Sequence, residues 1–256
     1  TASEEQIDAG KMEVELVPQG ILVERCRAGG AGIPAFYSPT GVDTDLATGR
    51  EIRDFDGKPH VLEYAIHVDY ALLRGYRADR LGNVQFRGGS QNFNPSFAKA
   101  ARVAIVEVDE IVEPGDIAPE LIDLPGIFVS RVVKTTHVVD GKAWRRPVRR
   151  PADQPRLYDG KPALTREGIA RNAATLVNEG TYVNLGVGIP TMVSNYLEGR
   201  DVILHAENGV LGYGRMVTEE HEIDPDIYNA AGQFVALNPG ASFFDSVASF
   251  EMARGG

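Results

Sequence analysis

The residues best suited to chemistry lie together in Ala206-Glu207-Asn208-Gly209-Val210-Leu211-Gly212. They follow an apolar run, Val202-Ile203-Leu204-His205, that reads as a short buried strand. A carboxylate at the C-terminal end of such a strand stands where ligands collect in open α/β sheets. Asn208 and Gly209 leave it sterically open and supply donors, while Gly212 and Gly214 keep the next turn lean. An accessible carboxylate of this kind suits a nucleophile. Taken alone, Glu207 also fits a structural role as an N-cap or an ion-paired carboxylate, as most acidic residues do.

Two further loops could serve a ligand. Gly186-Val187-Gly188-Ile189-Pro190 follows the strand Tyr182-Val183-Asn184-Leu185, and its glycines would let backbone N–H groups approach a phosphate or a pantetheine amide. It is not a dinucleotide signature, because the third glycine is absent and Pro190 opens the helix instead. A simple tight turn fits the same residues. Asn238-Pro239-Gly240-Ala241-Ser242-Phe243-Phe244 is expected to be a loop after the apolar run Phe234-Val235-Ala236-Leu237. Gly240 and Ala241 could present N–H groups there, or Ser242 could simply cap a following helix.

Other chemistries find no support. His60, His67, His137, His205 and His221 show no ligand spacing with one another or with Cys26, so no metal site is expected. No Gly-x-Ser-x-Gly stretch offers a hydrolase serine. Cys26 falls on the apolar side of its helix and reads as a packing residue. As the single cysteine it can form no internal disulfide, which points to a reducing compartment. The formal net charge of −10 argues against a nucleic-acid partner. No apolar run reaches the length that spans a bilayer, and the first residues carry no secretory signal pattern, so neither membrane nor export is expected.

The elements that must position these residues fall into two α/β units. In the first, helical spacing covers residues 18–28, with Gly29-Gly30 as stop signals. Residues 31–41 are too rich in Gly and Pro for regular structure, and 43–58 read as polar surface. Strands follow at 60–64 and 70–76, the latter forming a hairpin through Leu81-Gly82-Asn83 with Val84-Gln85-Phe86. A short helix is expected at 95–101, and strands at 103–108 and 127–133. Residues 135–163 are rich in Pro and carry Arg145, Arg146, Arg149, Arg150 and Arg156 with the only tryptophan, Trp144. They read as an extended linker, or as a cationic cluster able to hold an anion. The second unit opens with a helix at 165–179, Thr165 as its N-cap, Gly180 as its stop, and Ile169, Ala173, Leu176 and Val177 on one face. Strand, glycine turn, helix 191–197 and the strand ending at Glu207 then make one β-α-β crossover unit. The division is thus 1–134, a linker at 135–163, and 164–256.

These motifs, in this order, resemble the family I coenzyme A transferases, with the succinyl-CoA:3-ketoacid type nearest in pattern. Val183-Asn184-Leu185-Gly186-Val187-Gly188-Ile189-Pro190, Ala206-Glu207-Asn208-Gly209 and Asn238-Pro239-Gly240-Ala241-Ser242-Phe243-Phe244 match that family's β half. Glu15-Leu16-Val17-Pro18-Gln19-Gly20, Arg27-Ala28-Gly29-Gly30-Ala31-Gly32-Ile33-Pro34-Ala35-Phe36-Tyr37 and Ala78-Asp79-Arg80-Leu81-Gly82-Asn83-Val84 match its α half. The resemblance covers nearly the whole chain.

It implies two related open-sheet α/β units and a ping-pong transfer of CoA from succinyl-CoA to a 3-oxoacid such as acetoacetate. Glu207 would be the nucleophile, passing through a glutamyl-CoA thioester. Gln19, Asn184, Gly186, Gly188, Asn208, Gly209, Gly240 and Ala241 would line the CoA and substrate site. No metal or other cofactor is implied, CoA thioester being a substrate. The implied assembly is a homodimer in the cytoplasm, or in the mitochondrial matrix of a eukaryote. Acyl-CoA hydrolysis, acetate-type transfer, or CoA binding without catalysis are the alternatives on this scaffold.

Against the family pattern, Ala206 replaces a serine, and Ala230-Ala231-Gly232 replaces Ala-Gly-Lys, removing a cation expected near CoA. The family's first α segment would precede Thr1, and its later Gly-Gly-Ala loop would follow Gly256. The chain is therefore expected to be a piece that begins and ends inside domains.

Overall fold

A computed structural model describes residues 2–136, 157–217 and 219–255. A short helix α1 (Ala2–Asp8) precedes α2 (Gln19–Gly30). The glycines expected to stop α2 lie inside it. A Cβ on Gly29 would stand 2.1 Å from the Ile66 carbonyl oxygen, and one on Gly30 would stand 2.5 Å from Lys99 Cβ. They are glycine because other backbone presses against the helix, and the chain turns only at Gly32.

The expected loop at 31–41 contains a strand, β1 (Ala35–Ser38), held by antiparallel pairing with β3 (Lys58–Tyr64), which also pairs β2 (Ile52–Phe55). Pro34 and Pro39 flank β1, and the strand lies on the sheet edge, where missing ladder donors do little harm.

The main sheet of the first half has the order β5-β4-β6-β7, built from β4 (Val68–Asp79), β5 (Val84–Gln85), β6 (Ala101–Val112) and β7 (Arg131–Lys134). β4, β6 and β7 are parallel, and β5 folds back on β4 as expected. Helix α3 (Asn94–Ala100) feeds β6 directly. Residues 127 and 128, expected to open a strand, belong to a 3₁₀ turn at Gly126–Phe128 ahead of β7. Alternate residues of β4 and β6 turn inward, so Leu73, Val106 and Val108 join Val84 and Leu124 in one core. Each such side chain, fully buried, contributes about 1.5–3 kcal/mol. Cys26 is buried as a packing residue, and burial pushes its thiol pKa up. The opposite face leaves Leu72 79% and Tyr70 68% exposed, which is unusual for a parallel sheet.

The Pro- and Arg-rich part of the expected linker, with Trp144 and its arginines, lies outside the described residues. Its end is a small hairpin of β8 (Leu157–Tyr158) and β9 (Lys161–Pro162). Helix α4 (Arg166–Thr175) follows, capped by Thr165 Oγ1 accepting from the Gly168 N–H. It is shorter than its sequence pattern. Arg200 takes its terminal carbonyls, donating to Ala174 O at 2.8 Å and Val177 O at 2.6 Å. Ala170 and Ala174 face inward, and Leu176, expected on the packed face, is 81% exposed.

The second sheet runs β10-β11-β12-β13. β10 (Thr181–Asn184) and β11 (Val202–Ala206) are parallel and joined through helix α5 (Ile189–Val193), the crossover unit legible in the sequence. β12 (Val210–Met216) and β13 (Val235–Phe243) are antiparallel, and α6 (Ser246–Gly255) ends the described chain. A separate core forms around Leu185, Val193, Leu204, Val210 and Tyr213.

The halves meet along α2 and α6, where a Cβ on Gly20 would come 2.9 Å from the Phe250 ring. Arg87 reaches Asp224 at 2.6 Å and Asp226 at 2.7 Å across the divide. The Ser246 N–H donates to Asn92 O at 2.9 Å.

Candidate active site

Glu207 is the first residue of the three-residue turn that joins β11 to β12. The turn closes through the Gly209 N–H to Ala206 O at 3.0 Å. Gly209 has φ +114°, and any Cβ there would lie 2.3 Å from the Phe244 carbonyl oxygen. The Phe244 N–H in turn donates to Gly209 O at 3.2 Å, so the end of β13 is laced to this turn. Only glycine serves a position with both constraints.

The Glu207 backbone is gripped from α6. Ser249 Oγ donates to Glu207 O at 2.9 Å and lies 3.1 Å from His205 Nε2. Since the serine proton goes to Glu207, the imidazole carries its hydrogen on Nε2 and donates to Ser249. His205 is buried and stacks on Phe244 with ring centroids 5.8 Å apart. Burial lowers its pKa, keeping the ring neutral. Ser249 was not singled out from the sequence, and His205 was weighed there only as a metal ligand.

The side chain of Glu207 is half-buried rather than open. Its Oε2 is enclosed and has no hydrogen-bond partner among the described residues. Asn208 donates through Nδ2 to Tyr228 O at 2.9 Å, and its Oδ1 is enclosed and unpartnered among the described residues. From the first half, the turn at Gly88–Ser90 packs against this corner. The Gly89 N–H donates to Asp226 O at 2.8 Å, and a Cβ on Gly89 would be 3.5 Å from Asn208 Nδ2. Both halves therefore enclose the turn that carries Glu207.

Asn184 ends β10 in register with His205 and is exposed. Because β10 and β11 are parallel neighbours, Gly186 and Gly188 leave from the strand end adjacent to Glu207. Gly188 has φ +106° and precedes α5. Gly186 lacks a positive φ, and a Cβ on it would meet nothing within 4 Å, so the fold itself does not demand glycine there.

Gly240 and Ala241 lie within β13 and not in a free loop. Leu211 pairs with Ser242 and Tyr213 with Leu237, so residues 238–241 bulge opposite the single Gly212. Ser242 is consequently a ladder residue and not a cap. Asp245 fills that role, its Oδ1 accepting from the Ala248 N–H at 3.0 Å. The strand carries Gly240 and Ala241 alongside β12 and delivers Phe244 to the Glu207 turn. Gln19 opens α2 and is exposed, and no hydrogen bond joins it to Glu207 among the described residues. Its neighbour Gly20 meets Phe250, next to Ser249 on α6. Ala230-Ala231-Gly232 is a turn closed by the buried Asn229, whose Oδ1 accepts from Ala231 and Gln233.

A family model described as Coenzyme A transferase matches residues 1–135 and 166–256. The chain belongs to the coenzyme A transferase family. The matched segments flank the Pro- and Arg-rich stretch expected to be a linker. The mitochondrial succinyl-CoA:3-ketoacid coenzyme A transferase 2A of Rattus norvegicus is 45% identical over 267 residues, covering 97% of this chain and 51% of the relative. The mitochondrial succinyl-CoA:3-ketoacid coenzyme A transferase 2 of Homo sapiens is 44% identical over 277 residues, covering 100% of this chain and 52% of the relative. Among solved structures, an acyl-CoA transferase (YdiF) of E. coli O157:H7, in a thioester complex with CoA, superposes with a TM-score of 0.72 at 21% identity. That match covers 99% of this chain and 50% of the other. This coenzyme A transferase chain thus spans about half the length of the curated relatives it matches, with the family's mixed α/β fold.

Proposed function

We propose that this chain forms part of a CoA-transferase that moves CoA from succinyl-CoA to a 3-oxoacid, with Glu207 as nucleophile. The observation that carries the reading is the position of Glu207. It stands on a turn gripped by α6, beside the strand end that launches the glycine turn at 186–188, in a chain of this family.

In the proposed sequence the Glu207 carboxylate attacks the acyl-CoA carbonyl and expels CoA thiolate, leaving an acyl-glutamyl anhydride. The thiolate attacks the glutamyl carbonyl, releasing the first acid and forming a glutamyl-CoA thioester. The acceptor carboxylate then attacks that thioester, giving a second anhydride and thiolate. Return of the thiolate to the acyl carbon yields the new acyl-CoA and regenerates Glu207. Binding energy from the remote part of CoA offsets the cost of forming the anhydride. Gly186, Gly188, Asn184, Gly240 and Ala241 supply the surface for CoA, while Asn208 and Gly209 hold the turn and Gln19 faces the site from the first half.

The exposed sheet face in the first half agrees with a protein in which more chain or a second copy covers it, and we assign the assembly as a homodimer. Its compartment is the mitochondrial matrix in a eukaryote and the cytoplasm in a bacterium. The direct test is release of acyl product by the full-length protein, with and without acceptor acid. Turnover that requires acetoacetate supports transfer. Equal turnover without any acceptor indicates hydrolysis and overturns the assignment.

A further inference from the structure

Tyr213 is wholly buried, yet its hydroxyl has no hydrogen-bond partner among the described residues. The same hairpin holds two more enclosed groups without a partner among the described residues, Glu207 Oε2 and Asn208 Oδ1. A buried oxygen left unpaired is destabilising, so an arrangement that keeps three of them together calls for an explanation.

The aim of Tyr213 is set by a bulge. Ala206 pairs with Val210 and His205 with Leu211, but Leu204 pairs with Tyr213, so Gly212 is an extra residue in β12. Gly212 takes φ +78°, and a Cβ on it would press to 3.1 Å from Ala241 Cα. Without the bulge Tyr213 would fall on the opposite face from Val210, since strand side chains alternate. With it, Leu204, Ala206, Val210 and Tyr213 all enter one core directly beneath the Glu207 turn.

Resting on the reading of Glu207 as nucleophile, we propose that Tyr213 donates a hydrogen bond to the glutamyl carbonyl oxygen of the covalent intermediates formed at Glu207, a bond that the resting structure does not hold. An oxygen that gathers negative charge is a stronger acceptor for a phenol than a neutral amide such as Asn208 Oδ1. Burial, and after it the charge of Glu207, push the phenol pKa upward, so the hydroxyl keeps its proton. When CoA thiolate attacks the glutamyl carbonyl, negative charge develops on the carbonyl oxygen, the acceptor assigned to this hydroxyl. A fixed donor in a water-poor setting stabilises such charge effectively.

The test is Tyr213→Phe in the full-length protein, measured beside Glu207→Gln. Tyr213→Phe is expected to lower kcat at least about tenfold with KM changed less than twofold. Its Tm should stay level or rise, because an unpartnered buried hydroxyl has been removed. Tyr213→Met removes the hydroxyl with a different, adaptable side chain and should show the same fall in kcat. Wild-type kcat in either variant, with Glu207→Gln inactive, overturns the role of Tyr213 alone. Full turnover by Glu207→Gln overturns the nucleophile assignment itself.

Discussion

Ser249 Oγ donates to the backbone carbonyl of Glu207 at 2.9 Å, linking residues 42 apart in sequence. This bond ties the candidate nucleophile to α6, and through α6 to α2 of the other half. A turn that would otherwise rest only on its own hairpin is thereby fixed from outside. Replacing Ser249 with Ala leaves two buried groups unpaired, Glu207 O and the His205 Nε2–H. The expected loss is about 1–3 kcal/mol of unfolding free energy in denaturant titration. In the full-length protein, kcat should fall roughly tenfold to hundredfold as the carboxylate loses its fixed position.

Gly209 offers a contrast with Gly188, since both have positive φ but different surroundings. Alanine at either position meets a backbone penalty of about 1–3 kcal/mol. At Gly209 the new Cβ also lies 2.3 Å from Phe244 O, whereas at Gly188 nothing lies within 4 Å. Thermal unfolding should therefore show Gly209→Ala as clearly the more damaging substitution. Equal Tm losses would mean that the Phe244 contact yields freely.

His205 makes stability depend on pH in a defined direction. Its folded pKa lies below the ordinary imidazole value of 6.5 because burial disfavours the charged ring. The unfolded chain then binds more protons than the folded one in the interval between the two values. The His205 contribution is complete above 6.5 and is lost as pH falls through the lower folded value. Unfolding free energies measured down from pH 7.5 should decline in that interval, and His205→Gln should flatten the decline.

Much of this arrangement was legible in the sequence because its signals are local. The β-α-β unit leading to Glu207 follows from two apolar runs, a glycine turn and a short helix in succession. Thr165 showed its capping role by type and position. The misread elements depend on partners far along the chain. Gly29 and Gly30 resemble a helix stop until Ile66 and Lys99 are seen against them. Ala35–Ser38 becomes a strand only beside β3, and 238–243 only beside β12. The inward turn of Tyr213 depends on one extra residue at Gly212, and hydrophobic alternation gives no warning of a bulge. Ser249 and His205 carried no signal of their own, since their bonds arise only when α6 docks on the second sheet.

The central claim is that CoA becomes covalently bound at Glu207, and chemical trapping addresses it most directly. Full-length protein would be incubated with succinyl-CoA alone, treated with borohydride or hydroxylamine, digested, and mapped by mass spectrometry. The expected result is modification of the peptide containing Ala206-Glu207-Asn208-Gly209, confined to Glu207 and abolished in Glu207→Gln. Modification at a different residue, or an unmodified Glu207 in protein that still turns over, would contradict it.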